Sequence, residues 1–267
     1  EEEFYIVTGS AFGVHDRSWI EKHSPRDGSV VIDDLTEEFG VINLCGPHAR
    51  DVLQNVTDDD ISNETLPFSS YADIRVAGHP VRAMRIGYVG ELGWEMHMGR
   101  ENMPAVYRAL NEAGSQYDIA DAGYRAIDSL RMEKGYLYWS SDISPDYNPF
   151  EAGLGFRVNM KKGDFIGRDA LISIKENGGP ERKIAYFTLE KYMPVYGSEP
   201  IMREGRILDV TTSANFGYTI GKPLVFGYLP VQEFENRNFT VEAFGEIVPA
   251  TRHDGPFYDP EMKKLKL

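Results

Sequence analysis

The chain has 267 residues, of which 42% are hydrophobic and 26% charged, a globular composition long enough for one large domain or two modest ones. Its formal net charge of −14 argues against nucleic acid or an anionic membrane as a partner, because both select proteins with basic patches. The single Cys45 excludes an internal disulfide, and no run of 18 apolar residues or secretion signal is found.

The first part of the chain mixes predicted strands and helices. Strands are predicted at residues 4–8, at residues 29–32 and at Phe39–Cys45, with a short helix near residues 16–23. The strand-like residues 4–8 follow three glutamates with no starting Met, so we expect a piece of a longer polypeptide. A helix is predicted over residues 47–56, because apolar residues recur there at helical spacing after a proline.

The middle of the chain predicts a hairpin and two further helices. Residues 71–76 and 81–88 alternate as half-buried strands around the turn sequence Ala77-Gly78-His79-Pro80. A helix is predicted from Pro104 to Gly114, and another over residues 121–134 that ends before Gly135.

The composition changes at residues 177–180, where Asn, two Gly and Pro occur together. Short strands are predicted beyond this point at turn-separated intervals, at residues 183–189, 200–202, 206–212, 224–229 and 239–244. They indicate a small all-β module, a barrel or sandwich. We therefore predict one domain at residues 1–178 and a β-barrel domain at 179–267, with residues 262–267 as a loose tail.

The most distinctive stretch is residues 87–96, where three glycines occur at every third position. Such spacing permits a tight turn between two strands, with Glu91 and Glu95 at the turn and the ring of Tyr88 beside them. An aromatic ring next to a carboxylate suits a flat heterocycle with N–H donors at its edge. The alternative is a solvated hairpin tip with acidic side chains, and this stretch alone does not exclude it.

Other common chemistry is missing from the sequence. The six histidines show no metal-ligand spacing, so no metal site is predicted. Ser10 has no sequence signature of a nucleophile, and Gly153-Leu154-Gly155 lacks the third glycine of a dinucleotide-binding fingerprint.

Four motifs occur in a fixed order along the chain, and together they indicate a family that no single motif indicates. They are Tyr88-Val-Gly-Glu91-Leu-Gly-Trp-Glu95, Ser129-Leu-Arg131-Met-Glu133-Lys-Gly135, Asn148-Pro-Phe-Glu151-Ala-Gly153-Leu and Phe165-Ile-Gly-Arg168. The chain resembles the folate-binding aminomethyltransferase family, the T-protein of the glycine cleavage system and its relatives. Within that family it most resembles the C-terminal folate domain of dimethylglycine and sarcosine dehydrogenases or oxidases, through the phrases Phe4-Tyr-Ile-Val-Thr-Gly-Ser, Gly123-Tyr-Arg-Ala-Ile-Asp-Ser-Leu-Arg131 and Tyr228-Leu-Pro230-Val. The resemblance implies an α+β aminomethyltransferase fold that lacks its first segment and is followed by a small C-terminal β-barrel.

The resemblance also implies a tetrahydrofolate site. By this analogy Glu95 accepts hydrogen bonds from the pterin's N–H edge, Tyr88 packs beside it, and Glu91 is a neighbour. Arg131 and Arg168 are the candidates for the carboxylate tail of the folate. The expected reaction is capture of an iminium-derived carbon from a small N-methylated amine as 5,10-methylenetetrahydrofolate.

The resemblance has one departure. The family's acidic residue upstream of the first strand is not in this chain, so no catalytic residue is assigned. FAD is expected only if a flavin domain or partner precedes the chain, and the compartment is the cytoplasm, or the mitochondrial matrix in a eukaryote. Two alternatives stay open: a non-catalytic regulatory or scaffold member of the fold, and a folate-dependent S- or O-methyl demethylase.

Overall fold

The computed structural model describes residues 2–267, which cluster into two compact units. Unit 1 holds the chain up to Leu44 together with His48–Ile86 and Gly93–Ile119. Unit 2 holds Cys45–Pro47, Gly87–Leu92 and Ala120–Leu267, so that helical residues after Ala120 share a unit with the C-terminal strands. The domain boundary predicted at residue 178 stays a prediction.

Unit 1 is built on a four-stranded sheet with the strand order β1-β4-β3-β2. Its strands are β1 (Phe39–Cys45), β2 (Tyr71–Val76), β3 (His79–Met84) and β4 (Gly93–Gly99). The β2–β3 hairpin turns through Ala77 and Gly78, which both have positive φ, and β3 pairs antiparallel with β4. The predicted hairpin is therefore confirmed, with β3 ending earlier than expected.

The described residues of unit 1 also form three α-helices, α1 (Gly13–His23), α2 (Ala49–Gln54) and α3 (Met103–Gly114). The apolar stripe predicted for α2 is buried, since Ala49, Val52 and Leu53 are at most 3% exposed. Burial of such a stripe stabilises a short helix that would be marginal by itself. The helices predicted near these positions are confirmed with shifted ends.

Two of the predicted strands in unit 1 are wrong. Residues 4–8 and 29–32 have no strand structure, and the side chains of Phe4, Ile6 and Val31 are 71%, 63% and 79% exposed. Apolar and β-branched residues favour a strand only when a neighbouring strand and a buried face are available. Within the described residues these segments have no strand partner.

Unit 2 contains helices α4 (Tyr124–Glu133) and α5 (Arg168–Glu176), followed by a closed six-stranded barrel of order β10-β5-β8-β7-β6-β9. The barrel strands are β5 (Arg182–Leu189), β6 (Pro200–Arg203), β7 (Arg206–Gly217), β8 (Lys222–Pro230), β9 (Asn238–Ala243) and β10 (Glu246–His253). The predicted α+β fold with a C-terminal barrel is confirmed. Strand β10 was not predicted, and it closes the barrel by pairing with both β5 and β9.

Helix α4 is fixed to the barrel by polar contacts with the end of β7. Ser129 Oγ donates to the carbonyl of Phe216 at 2.6 Å, and the backbone N–H of Thr219 donates to Glu133 Oε1 at 2.7 Å. The Ser129 and Glu133 side chains are buried, and buried polar groups must be hydrogen-bonded to avoid a desolvation cost. These contacts fix the orientation of α4 against the barrel.

The last residues are not a loose tail, contrary to the prediction. The backbone N–H groups of Lys263 and Lys264 donate to the carboxylate of Asp259 at 2.8 and 3.1 Å, and Leu265 is 2% exposed. Separately, none of the helices in residues 2–267 is long and apolar enough to cross a membrane.

Candidate functional site

The glycine-punctuated turn depends on the absence of a side chain at Gly90. This residue has φ of 80°, and a β-carbon placed on it would lie 2.8 Å from Lys134 Cδ. Positive φ and close approach are the two situations in which only glycine fits well. The turn is therefore packed directly on the side chain of Lys134 at the end of α4.

Tyr88 is held within unit 2 by its hydroxyl and its ring. The hydroxyl donates to the carbonyl of Leu137 at 2.6 Å, and the ring stacks on Tyr136 with 5.9 Å between ring centroids. Burial is the main cause that raises the pKa of Tyr88 to about 12, so the phenol stays protonated at neutral pH. The hydroxyl proton is already committed to the protein, and the oxygen can still accept a hydrogen bond.

Glu91 is occupied by a contact with the C-terminal segment. The Tyr258 hydroxyl donates to Glu91 Oε1, and this bond is the main cause that raises the pKa of Tyr258 to about 12. The neighbouring Asp259 accepts from Lys134 Nζ through its carbonyl at 2.6 Å and its carboxylate at 3.0 Å. Glu91 and Lys134 thus both join the turn and α4 to the chain end.

Arg131 lies at the centre of a buried network in unit 2, and its side chain is 3% exposed. Its Nε donates to Asp128 Oδ1 at 2.8 Å, its Nη1 to Asp142 Oδ2 at 2.6 Å and to the Tyr136 carbonyl at 3.1 Å, and its Nη2 to Ser213 Oγ at 3.0 Å. These four partners use most of the donors that a guanidinium has. The network therefore gives Arg131 a structural task, and contact with a folate tail stays a prediction.

Contrary to the prediction, Glu95 does not lie at the turn: it lies on β4 in unit 1, where it pairs with Met84 of β3. Its side chain is 22% exposed, and its Oε2 lies 3.7 Å from Nε2 of His97. Among the described residues of unit 1, the nearest ion-pair partner of this carboxylate is His97 at that 3.7 Å, which is longer than a hydrogen bond. A carboxylate normally accepts several hydrogen bonds, so Glu95 retains accepting capacity that its own unit does not use.

Arg168 begins α5 directly after Gly167, which has φ of 89°. Its side chain is 33% exposed, its Nη1 lies 3.8 Å from the exposed Asp169 Oδ1, and its buried Nε makes no hydrogen bond within residues 2–267. A cation at the start of a helix is disfavoured by the helix dipole. Its predicted role towards the folate tail stays a prediction.

Unit 2 also contains a cavity of about 870 Å³ beside α4 and the barrel. Aromatic side chains on its wall include Tyr192, Tyr196 and Phe216, and its charged side chains include Arg125 and Asp128. Tyr192, Tyr196 and Tyr218 on its wall are 71%, 79% and 78% exposed, so the cavity is an open groove at the surface of unit 2. Sequence reasoning missed these residues, because they come from a loop after β5, from β7 and from α4 and share no motif.

The chain was compared with known protein families, and two family descriptions match most of its length. Residues 1–162 match the family described as "GCVT N-terminal domain", and residues 182–259 match "Glycine cleavage T-protein C-terminal barrel domain". The chain belongs to this aminomethyltransferase family.

The relatives that this aminomethyltransferase-family chain matches are longer proteins. It is 38% identical to mitochondrial sarcosine dehydrogenase of Mus musculus over 98% of this chain and 30% of that protein, and 38% identical to mitochondrial dimethylglycine dehydrogenase of Mus musculus over 99% and 31%. The chain thus spans less than a third of these relatives. The fold matches the aminomethyltransferase T of the glycine cleavage system from Bartonella henselae with a TM-score of 0.78 and 24% identity, covering 94% of this chain and 67% of that one.

The structure of this aminomethyltransferase-family chain divides the predicted site residues between the units. Tyr88, Glu91, Arg131 and Arg168 belong to unit 2, and Glu95 belongs to unit 1. Of the two carboxylates in the turn motif, Glu91 is bonded by a tyrosine and Glu95 is not bonded within its own unit. The sequence offered no signal for the tyrosine, because it lies 167 residues further along the chain.

Proposed function

We propose that this chain is the tetrahydrofolate-binding, one-carbon transfer domain of an N-demethylating dehydrogenase of the dimethylglycine and sarcosine type. The observation that carries the proposal is the Glu95 carboxylate, which is partly exposed on β4 and satisfied by no donor of its own unit. Adjacent N–H groups at the edge of a reduced pterin match a carboxylate that can accept two parallel hydrogen bonds. Its negative charge also strengthens each of these bonds relative to a neutral acceptor.

The proposed reaction needs an oxidation that this domain does not perform. A flavin domain or subunit removes a hydride equivalent from the N-methyl group and leaves an iminium ion. When bound, tetrahydrofolate would supply two nitrogen nucleophiles that take up the iminium carbon. Its two N–H protons would go to the released amine, which would leave as a primary ammonium ion from sarcosine or a secondary one from dimethylglycine. The product is 5,10-methylenetetrahydrofolate, and FAD belongs to the oxidising partner alone.

The contribution of the protein to this transfer is mainly positioning. Holding a good nucleophile against a reactive electrophile replaces a bimolecular encounter by an intramolecular step, and this can supply much of the rate. In the proposal Glu95 fixes the pterin edge, and the roles that the resemblance implies for Tyr88, Arg131 and Arg168 stay predictions. The sarcosine and dimethylglycine in the names of the relatives support an N-methylated amine as the carbon donor.

The proposal is tested by calorimetric titration of the purified chain with tetrahydrofolate. Glu95→Gln keeps the shape of the side chain and removes its charge, and we expect the affinity to fall by about 10- to 100-fold, as loss of a charge-assisted bond requires. Glu64→Gln is the matched control, because Glu64 is exposed in a loop of the same unit. Absence of binding by the unmodified chain, or equal binding by both variants, contradicts the proposal.

A third variant separates the two carboxylates of the turn motif. Glu91 already accepts from Tyr258, so Glu91→Gln is expected to change the tetrahydrofolate affinity by less than about threefold. A larger loss than that of Glu95→Gln would move the pterin contact to Glu91. A full-length protein that binds tetrahydrofolate and turns over neither dimethylglycine nor sarcosine would favour the non-catalytic alternative.

A further inference from the structure

Three side chains of unit 1 form a line that ends at Glu95. His97 lies two residues after Glu95 on β4, so both side chains lie on the same face of the sheet. The Tyr5 hydroxyl lies 3.0 Å from Nδ1 of His97, and Nε2 of His97 lies 3.7 Å from Glu95 Oε2. The His97 side chain is 3% exposed, so both ring nitrogens depend on protein neighbours.

The direction of the Tyr5–His97 hydrogen bond depends on the His97 tautomer, and the Glu95 carboxylate that faces Nε2 favours the tautomer with its proton there and Tyr5 donating to Nδ1. Burial, opposed in part by the charge of Arg82, raises the pKa of Tyr5, so its hydroxyl keeps its proton at neutral pH. When this hydroxyl donates to Nδ1, the proton of the neutral imidazole must lie on Nε2. The Nε2–H group then faces Glu95.

Nε2 is buried and makes no hydrogen bond among the described residues. Its distance of 3.7 Å from the carboxylate exceeds an ordinary N–H···O bond by about 0.7 Å. A small rotation of either side chain therefore closes the contact. A buried N–H group without an acceptor is costly, and this cost favours the rotation that brings Nε2–H to the carboxylate.

The neighbouring cation Arg82 is already paired with another carboxylate, and His97 faces Glu95. Arg82 lies opposite His97 on β3, but it forms a two-point ion pair with Asp73 on β2 at 2.8 and 3.1 Å. The Arg82 guanidinium also lies 5.0 Å from the centre of the Tyr5 ring, where it packs Tyr5 against the sheet. Arg82 thus fixes Tyr5 and has its own carboxylate.

We propose that Tyr5 and His97 are positioning residues for Glu95. In this arrangement Tyr5 sets the tautomer of His97, and the Nε2–H of His97 holds one carboxylate oxygen, which fixes the orientation in which Glu95 meets the N–H edge of a bound pterin. This inference rests on the proposed function, because it assigns the orientation of the carboxylate that the proposed function uses. Neither residue touches the reacting atoms.

The first test needs no ligand. Two-bond ¹H–¹⁵N correlation spectra of the ¹⁵N-labelled chain report the His97 tautomer, and we expect proton occupancy on Nε2 in the unmodified chain. Tyr5→Phe removes the donor to Nδ1 and should shift the ring towards the Nδ1–H form or a mixture. An Nδ1–H tautomer in the unmodified chain, or no response to Tyr5→Phe, overturns the inference.

The second test compares two amide replacements for His97 in tetrahydrofolate titrations. Gln places its amide nitrogen near the position of Nε2, and Asn places its amide near Nδ1. We expect His97→Gln to stay within about threefold of the unmodified affinity and His97→Asn to lose about 5- to 10-fold. In a Glu95→Gln background His97→Asn should add no further loss, since coupled residues are non-additive.

The outcomes separate the two proposals. Thermal melting of each variant identifies any that fail to fold, and the spectra of the unmodified chain and Tyr5→Phe do not depend on the His97 variants. Equal losses for Gln and Asn, or additive losses with Glu95→Gln, overturn the positioning role while the proposed function stands. A chain that does not bind tetrahydrofolate overturns the proposed function, whatever tautomer the spectra show.

Discussion

Gly90 gives the sharpest stability prediction, because two physical effects act on one added methyl group. Gly90→Ala forces an L-residue to keep φ of 80° and places its β-carbon 2.8 Å from Lys134 Cδ and 3.0 Å from Cγ. Lys134 cannot simply move away, since its side chain is 2% exposed and its Nζ is bonded to Asp259. The substitution therefore strains the turn and disturbs a buried ion pair at once.

The expected loss of stability follows from these terms. Strain at positive φ together with overpacking, less the gain from a stiffer unfolded chain, comes to about 2–4 kcal/mol. For a chain of this size this lowers the melting temperature by about 4–16 °C. Gly221→Ala is the matched control, because Gly221 has φ of 72° and nothing within 4 Å of an added β-carbon. We expect the control to lose about 1 kcal/mol, from strain alone.

Urea unfolding followed by circular dichroism measures both variants, and thermal melts provide a second measure. The difference between Gly90→Ala and Gly221→Ala isolates the contact with Lys134. A difference below about 0.5 kcal/mol, the ordinary scale of a surface change, would refute the packing of the turn on α4.

Two further predictions concern buried ionisable groups in unit 2. Asp142→Asn removes the charge of the fully buried partner of Arg131 and should lower the free energy of unfolding in urea by about 3–5 kcal/mol. The control Glu21→Gln, in an exposed pair with Arg17, should lower it by less than about 1 kcal/mol. Similar losses for both variants would contradict the buried network. Burial raises the pKa of Tyr186 to about 12, whereas the unfolded chain releases this proton near pH 10, so stability should fall as pH rises from about 10 to about 12. Tyr186→Phe should reduce the free energy of unfolding lost over this pH range by about 2–3 kcal/mol. If urea unfolding gave the same pH dependence of that free energy for both proteins, the assignment would be contradicted.

The elements predicted correctly from sequence are those whose stability depends on local pattern. The helix at Ala49–Gln54 follows from an apolar stripe at helical spacing, and five of the six barrel strands follow from short strand-like segments separated by turns. The four motifs that indicated the aminomethyltransferase family were also legible in order along the chain. Strand β10 was missed, and it contains Pro249, which cannot donate to a strand ladder.

The roles of the candidate site residues needed the tertiary structure. Glu91 and Glu95 are four residues apart in one motif, yet one is bonded by Tyr258 and the other faces His97. The sequence identified Arg131 as a candidate cation. It did not identify its partners, Ser213 on β7 and Asp142 in the loop after α4.

The sequence by itself determined the family, the α+β class, the barrel and the residues to be tested. Periodicity within a segment and the order of motifs can both be read along the chain without knowledge of distances in space. Only the tertiary structure decided which carboxylate keeps free accepting capacity, why Gly90 must be glycine, and that residues 4–8 supply Tyr5 to His97 rather than a strand. The physical reason is that hydrogen bonds, burial and steric contact depend on distances in space, and these join residues 92 and 167 positions apart.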